Sequence, residues 1–499
     1  MGITDLDEAP SGAAVKRALS WVGIGHIVGQ TFWFGSLLIL AVILPPAAFG
    51  AVAIGLLLVT AANRTMESGT RGSIIIAKSL TRFDIRNTVA FNVLVGVGLA
   101  AVIALLASPI SHFFASGSNA LVLVALGIGV ALYAPAIAPL ALLEKNLQYK
   151  RRAGIQMAAT MTASVVAVVA ALAGAGVWSL VIRQLLFQVM LAVGGWIVAV
   201  RAGVIPRRVP GASGSWRLPR RAGAAAFMLF SLTDFAVFNA DSLTVGHYSG
   251  TKQLGLYALA FTLAFAPVTQ FSAQIGNVLF SASAASDSET IRRRTVSGVR
   301  ITSLVLLPVL PAAIVLAPVL VPALLGEKWA GMVPVFQLLL VVGVAHAIMN
   351  VIGESLSGTG NINYRARVNA VWMVAMVAAL IILVQLDGIR GAGEAHLFLY
   401  LPVVAAYVIG GMRMIGASWH DLAGPLRPIL VAVLVQTVAT AAVWYLLEGQ
   451  VSEEATAIAA ALAGAVACVV YLLTGGKETV RQASSLLRRS RRQEPLPRS

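Results

Sequence analysis

The sequence is poor in charge: only 11% of its 499 residues are Asp, Glu, Lys or Arg, against about 25% in soluble domains. With 58% hydrophobic residues, too little polar surface is left to cover a water-soluble globule, so lipid is the expected solvent. Acids are scarcer than bases, 20 against 36. The resulting net charge of +16 would ordinarily raise the question of nucleic acid. Here the Lys and Arg residues lie between apolar runs rather than in one patch, which argues against a nucleic-acid partner. Cysteine is nearly missing. Cys468 stands alone inside an apolar run, which rules out an internal disulfide framework and a multi-cysteine metal site and leaves packing as its expected role. Nucleotide fingerprints are missing as well. Gly23-Ile24-Gly25 followed by Gly29 has neither the spacing nor a preceding strand, and Gly353 to Thr359 has no Walker lysine. No metal-ligand cluster or nucleophilic triad stands out, and no cofactor is expected.

What the chain does have is length in apolar runs. A helical span needs about 20 apolar residues. Such runs recur near 17–42, 48–77, 88–111, 119–143, 154–173 and 176–200, and again near 222–248, 253–283, 296–320, 332–356, 367–386 and 394–413. Two more follow at 427–447 and 454–474. The prediction is an all-α polytopic membrane protein of about fourteen transmembrane helices. Residues 1–16 carry Asp5, Asp7 and Glu8 and lead into a stretch too long for a signal-peptide core, with no convincing cleavage site, so the first helix is predicted to stay as an anchor. Lys and Arg favour cytoplasmic loops. One set of alternate loops holds Lys16-Arg17, Lys78/Arg82/Arg86, Lys145 to Arg152, Arg201 to Arg221, Arg292 to Arg300, Arg365/Arg367, Arg413/Arg427 and the tail, while the other shows only Lys252, Lys328 and Arg390. Both termini are therefore predicted to be cytoplasmic. The basic tail segment Leu486 to Arg492 either rests on anionic lipid or is simply solvated.

A short repeat suggests the architecture. Asn146-Leu147-Gln148-Tyr149-Lys150-Arg151-Arg152-Ala153 precedes the fifth run, and Asn361-Ile362-Asn363-Tyr364-Arg365-Ala366-Arg367-Val368 precedes the eleventh. The same loop at the same ordinal place in each half predicts two pseudo-symmetric six-helix bundles plus two C-terminal helices, an arrangement typical of secondary transporters. The corresponding boundaries are a cytoplasmic N-terminus (1–16), a first bundle (17–200), a basic connector (201–221), a second bundle (222–413), helices thirteen and fourteen (427–474) and a basic tail (475–499).

Ionisable groups inside spans face a cavity or a partner, because each costs about 2.5–3.5 kcal/mol at mid-membrane. Arg64, Glu67 and Arg71 share one face of the second span. Counted back from Lys78, Arg64 falls about 21 Å from the cytoplasmic end. Glu67 either neutralises one arginine as a buried pair or belongs to a cavity with both. Arg183 in the sixth span either snorkels outward or lines the same cavity. Asp234 and Asp241 sit seven apart on the seventh span, Asp234 near mid-depth and able to pair with an arginine or carry a proton. Gln270, Gln274, Asn277 and Ser281 form a neutral polar stripe on the eighth span, suited to sugar hydroxyls or to interhelical hydrogen bonds. His26, Gln30 and Trp33 line one face of the first span, and Glu354 with Asn350 marks a coupling, gating or helix-end position in the tenth.

These residues resemble the polysaccharide transporter family of lipid-linked oligosaccharide flippases (Wzx-like), in the superfamily that also holds drug and toxin extruders and lipid II flippases. The best stretch is Asp241 to Tyr257, with Gly246, Gly250, Leu254, Gly255 and Tyr257 at the family's positions. Leu325-Gly326-Glu327-Lys328-Trp329, Gly174 to Trp178, and Glu67-Ser68-Gly69 in place of the family's Asp-x-Gly add to it. The resemblance implies two six-helix bundles around a central cavity and an undecaprenyl-diphosphate-linked repeat unit moved to the outer leaflet without covalent chemistry. It further implies a diphosphate held by Arg64, Arg71 and Arg183, with sugars or cavity lining from His26, Gln30, Trp33, Gln270, Gln274 and Asn277. Coupling or gating would fall to Glu67, Asp234, Asp241 and Glu354. Partners would be membrane lipids, a polysaccharide polymerase and a chain-length regulator. A cation or drug antiporter would need a net acidic cavity, which the second-span arginines oppose. A membrane polymerase or ligase would need a large outer loop, and every predicted outer loop is short.

Overall fold

Hydrocarbon offers no hydrogen-bond partners, so a spanning backbone must close its own bonds in helices. The computed structural model describes residues 29–77, 80–114, 120–206, 239–283 and 287–474, and every regular element among them is helical. The helices are α1 (Gly29–Ile43), α2 (Pro46–Ile76), α3 (Arg82–Phe113), α4 (Ala120–Lys145), α5 (Tyr149–Leu172) and α6 (Val177–Arg201). There follow α7 (Ala240–Ser283), α8 (Ser288–Leu306), α9 (Val309–Leu325), α10 (Val333–Gly358), α11 (Ile362–Ala405), α12 (Trp419–Leu447) and α13 (Glu453–Thr474). Eleven stretches among the described residues are long and apolar enough to cross a membrane. Side chains such as Leu105 (79% exposed), Leu172 (72%) and Val374 (75%) stand outward, a placement that only a lipid surround explains on this scale. The chain divides into two compact units, Met1–Gly255 and Leu256–Ser499.

Local signals start and stop these helices. Pro46 occupies the first turn of α2, where its missing N–H costs nothing. Thr81 and Asp84 form a capping box on α3, and Ser418 and Asp421 do the same on α12, satisfying amides that have no intrahelical partner. At 44 residues, α11 is about 66 Å long if straight, roughly twice the hydrocarbon thickness. It is not straight: Asp387 and Gly388 leave helical geometry, and a Cβ on Gly391 would lie 1.9 Å from the Leu383 carbonyl oxygen. The chain therefore doubles back there. Gly388 (φ 53°, ψ −132°) matches Gly176 (φ 56°, ψ −132°) before α6, a conformation that favours glycine.

The two repeated loops close in the same way, in a register shifted from their sequence match. At the end of α4 the Gln148 amide donates to the Leu143 carbonyl (2.8 Å), with Leu147 at φ 56°. At the end of α10 the Asn361 amide donates to the Leu356 carbonyl (2.8 Å), with Gly360 at φ 79°. Both are Schellman-type closures, and they set Leu147 opposite Gly360. Matching the two Asn-x-x-Tyr strings instead sets Leu147 opposite Ile362. In the structural register Arg152 corresponds to Arg365 rather than to Arg367, because backbone closure and not side-chain identity fixes where the next helix begins.

Three glycines of the Asp241–Tyr257 stretch have separate steric reasons. A Cβ on Gly246 would lie 2.7 Å from the Phe114 ring, and Gly250 (φ 78°, ψ 175°) breaks α7 in a region essentially reserved for glycine. A Cβ on Gly255 would fall 1.8 Å from the Pro46 carbonyl oxygen, and one on Gly50 would fall 1.8 Å from the Thr251 carbonyl oxygen. The start of α2 and residues 251–255 of α7 thus cross backbone to backbone. Gly255→Ala should force this crossing apart at a cost of about 1–3 kcal/mol. A clear drop in melting temperature in detergent is expected, while Gly98→Ala on α3, whose Cβ would meet nothing within 4 Å, should leave it in place.

Candidate substrate-binding and coupling residues

On α2 the stripe Arg64, Glu67 and Arg71 runs at helical spacing, with Arg64 exposed and Glu67 half-buried. Glu67 accepts a hydrogen bond from the Tyr133 hydroxyl. Arg71 forks onto Glu144 of α4, Nε to Oε2 at 3.0 Å and Nη2 to Oε1 at 2.8 Å. Arg152 of α5 reaches the same carboxylate. The pairing foreseen within α2 is therefore replaced, for Arg71, by one across α2, α4 and α5. A two-pronged guanidinium–carboxylate bond needs the two planes to meet end-on, a geometry that a partner on another helix supplies readily. One carboxylate facing two guanidiniums leaves the cluster formally cationic. Lys145 closes the same end by donating to the carbonyls of Ile74 (3.1 Å) and Ala77, near the C-terminus of α2 where a cation is favoured. Glu144 was legible in principle, as the one acid in the basic run from 144 to 152.

Arg183 projects from α6 onto α1. Its guanidinium carbon lies 5.5 Å from the centre of the Trp33 ring, and Nη2 lies 3.4 Å from the Trp33 carbonyl oxygen, a cation–π arrangement. Ser36 donates to the same carbonyl (2.8 Å) and lies 3.1 Å from the Ser164 hydroxyl of α5. Two residues read separately from the sequence, one for phosphate and one for sugar, are thus brought together, with half-buried Gln30 one turn before Trp33. Asp241 is buried in the first turn of α7 and accepts from the Ser242 amide at 2.6 Å, a position where the helix N-terminus favours a carboxylate. His26 and Asp234 lie outside the described residues.

In the second unit, Glu354 of α10 is bound by Arg365 of α11 (3.0 Å). Arg365 also donates to the Ser357 hydroxyl (2.8 Å) and the Gly353 carbonyl (3.3 Å). Glu354 is therefore an interhelical ion-pair partner and does not merely solvate a helix end. On α7, Gln270 is half-buried and Gln274 exposed, and nearby Asn350 reaches the Ser272 hydroxyl at 3.5 Å. The side chain of Asn277 lies outside the description. Sequence reading missed a buried aromatic and imidazole group: the Tyr257 hydroxyl sits 3.2 Å from His396 Nε2, and His346 Nδ1 sits 3.1 Å from the Tyr400 hydroxyl. Trp372 packs edge-on to Tyr400. The available signal was a single histidine in each of two apolar runs. Among the described residues no three His, Cys, Asp or Glu converge on a metal-sized site.

The Arg71–Glu144–Arg152 cluster generates a direct expectation. Glu144→Gln should leave two guanidiniums without their counter-charge and destabilise the protein by about 1.5–3 kcal/mol, the range for hydrogen bonds to charged groups. Thermal unfolding of the detergent-purified protein measures it, and Arg71→Ala in the Glu144→Gln background should add little, since the two share one interaction.

Residues 39–334 match the family model described as "Polysaccharide biosynthesis protein". The lipopolysaccharide biosynthesis protein WzxC of Escherichia coli is 24% identical over 80% of this chain and 82% of its own. The succinoglycan biosynthesis transport protein ExoT of Rhizobium meliloti is 24% identical over 65% of each chain. Among solved structures, the lipid II flippase MurJ in an inward closed conformation superposes with a TM-score of 0.72 at 11% identity, covering 92% of this chain and 99% of that one, a likeness of fold. With an all-helical polytopic fold and a family match over more than half its length, the chain belongs to the polysaccharide biosynthesis protein family of multi-pass membrane proteins.

Proposed function

We propose that this protein is a flippase that carries undecaprenyl-diphosphate-linked oligosaccharide repeat units from the cytoplasmic to the outer leaflet of the bacterial inner membrane. It would act by alternating access, without covalent chemistry, in surface lipopolysaccharide or exopolysaccharide biosynthesis. The observation that carries the reading is the exposed Arg64 near the middle of α2, in a chain of the polysaccharide biosynthesis family. A diphosphate calls for guanidinium donors. Arg71 spends both prongs on Glu144 and acts chiefly by holding α2 in place, and this reading assigns the diphosphate to Arg64 and Arg183. Gln30 and Trp33 beside Arg183, and Gln270, Gln274 and Asn277 on α7, suit the sugars, as does His26. Coupling or gating falls to Glu67, Asp234, Asp241 and Glu354.

The eleven long stretches, the shorter α1, the doubling of α11 and the apolar run at 222–248 together support fourteen spans, arranged as two six-helix bundles (17–200 and 222–413) and a terminal pair. In this reading both termini are cytoplasmic, which the bias of Lys and Arg among alternate loops supports. Membrane lipids, a polysaccharide polymerase and a chain-length regulator are the partners this reading implies. A cation antiporter is disfavoured by the net positive polar group on α2, α4 and α5.

The test is made in the native host. Arg64→Ala and Arg183→Ala should each abolish or sharply reduce surface polysaccharide and accumulate lipid-linked repeat units on the cytoplasmic side, at unchanged protein level. Arg71→Ala should instead lower the protein level. Full polysaccharide with both Arg64→Ala and Arg183→Ala in one chain would overturn the assignment.

A further inference from the structure

Helices α5 and α6 run antiparallel, and between them lies an open groove of about 550 Å³. Arg151, the third residue of α5, and Arg201, the last of α6, stand at the same end of it. The remaining lining is apolar and includes Gly154 and Ala158 of α5 with Met190 and Gly194 of α6. The small residues make the groove. A Cβ on Gly154 would meet nothing within 4 Å, so this glycine is not required by packing and faces open space. Ala158 lies nine residues into α5 and Met190 eleven residues before Arg201, depths of about 14 and 16 Å at 1.5 Å per residue. That is half of a hydrocarbon core of about 30 Å. The groove is therefore one leaflet deep.

Among the described residues no ion pair compensates its charge. Arg152, next along the helix, is held by Glu144, and successive helical side chains point about 100° apart, so Arg151 is directed elsewhere. No acid among the described residues forms an ion pair with Arg151 or Arg201. Two guanidiniums at one mouth of a leaflet-deep apolar groove match a phosphodiester headgroup with an acyl chain beneath it. The lining carries no amide or hydroxyl side chain to meet a saccharide, so it does not suit the sugar part of a glycolipid.

We propose that the α5–α6 groove is a binding site for one anionic glycerophospholipid of the leaflet on the Lys- and Arg-rich side. The headgroup phosphate sits between Arg151 and Arg201, and one acyl chain runs along Gly154, Ala158 and Gly194. The site is independent of the flippase reading, since it uses none of the residues assigned to substrate. Its role is to anchor the α5–α6 hairpin to lipid of one charge class.

The experiment uses the full chain, purified in mild detergent from membranes containing both phosphatidylglycerol and phosphatidylethanolamine and examined by native mass spectrometry. Wild type is expected to retain phosphatidylglycerol well above its bulk proportion, each arginine contributing about fivefold. Arg151→Gln/Arg201→Gln should bring retention down to the bulk ratio, and Arg151→Lys/Arg201→Lys should restore much of it. Gly154→Leu, whose Cβ would meet nothing within 4 Å, puts an apolar side chain into the groove and should lower retention of phosphatidylglycerol with both arginines present and melting temperature unchanged. Retention at the bulk ratio in wild type, unchanged enrichment in the glutamine double variant, or unchanged enrichment in Gly154→Leu would each overturn the site. Displacement of phosphatidylglycerol by equimolar undecaprenyl diphosphate would overturn its assignment to a phospholipid.

Discussion

A charge carried into a helix bundle must meet an opposite charge or a ring of hydrogen bonds, and in this protein Glu144 is where that requirement is concentrated. Its carboxylate takes both prongs of Arg71 and a further bond from Arg152, joining α2, α4 and α5 at one end of the first unit. Lys145, the next residue, closes the last carbonyls of α2. A helix that carries polar residues into the membrane is thus held at its end by a charge network and along its length by packing. Leu140, Leu143, Ile155 and Leu191 form one buried cluster and Ile74, Ile85 and Leu142 another. The second unit uses a related device in Glu354 and Arg365. Arg152 and Arg365 are counterparts in the structural register, whereas their acids are not: the position that matches Glu144 is Ser357, and Arg365 donates to its hydroxyl.

Close backbone approach is the second constraint. Gly50 and Gly255 each occupy a place where a methyl group would overlap a carbonyl oxygen, while Gly250 supplies a conformation that residues with a Cβ avoid. The glycine pattern that marks the Asp241–Tyr257 stretch is therefore a set of steric requirements. Tyr257, at its end, is fully buried and reaches His396, so even the aromatic member of the pattern has a definite partner.

The polar residues divide by what they touch. Arg71, Glu144, Arg152, Glu354 and Arg365 hold helices together. Arg64 is exposed, and Arg183 is cushioned on Trp33. Arg151 and Arg201 line the mouth of the α5–α6 groove. The excess of 36 bases over 20 acids is distributed among these settings and the loops.

Much of this was legible in the residues alone. Apolar run length determined the all-helical membrane class, because hydrocarbon leaves the backbone no other way to close its hydrogen bonds. The spacing of Arg64, Glu67 and Arg71 predicts one shared face of α2, and the Asn146 and Asn361 loops share a backbone closure in a register that their letters alone do not give. Partners were a different matter. That Arg71 meets Glu144 rather than Glu67, that Glu67 meets Tyr133, and that Arg183 lies on Trp33 depend on which helices are neighbours. The same is true of the register that pairs Arg152 with Arg365, which was fixed by backbone caps. Periodicity along one helix gives the direction of a side chain relative to its own axis, whereas a contact requires the position of a second axis, and only the packing of the folded chain supplies that.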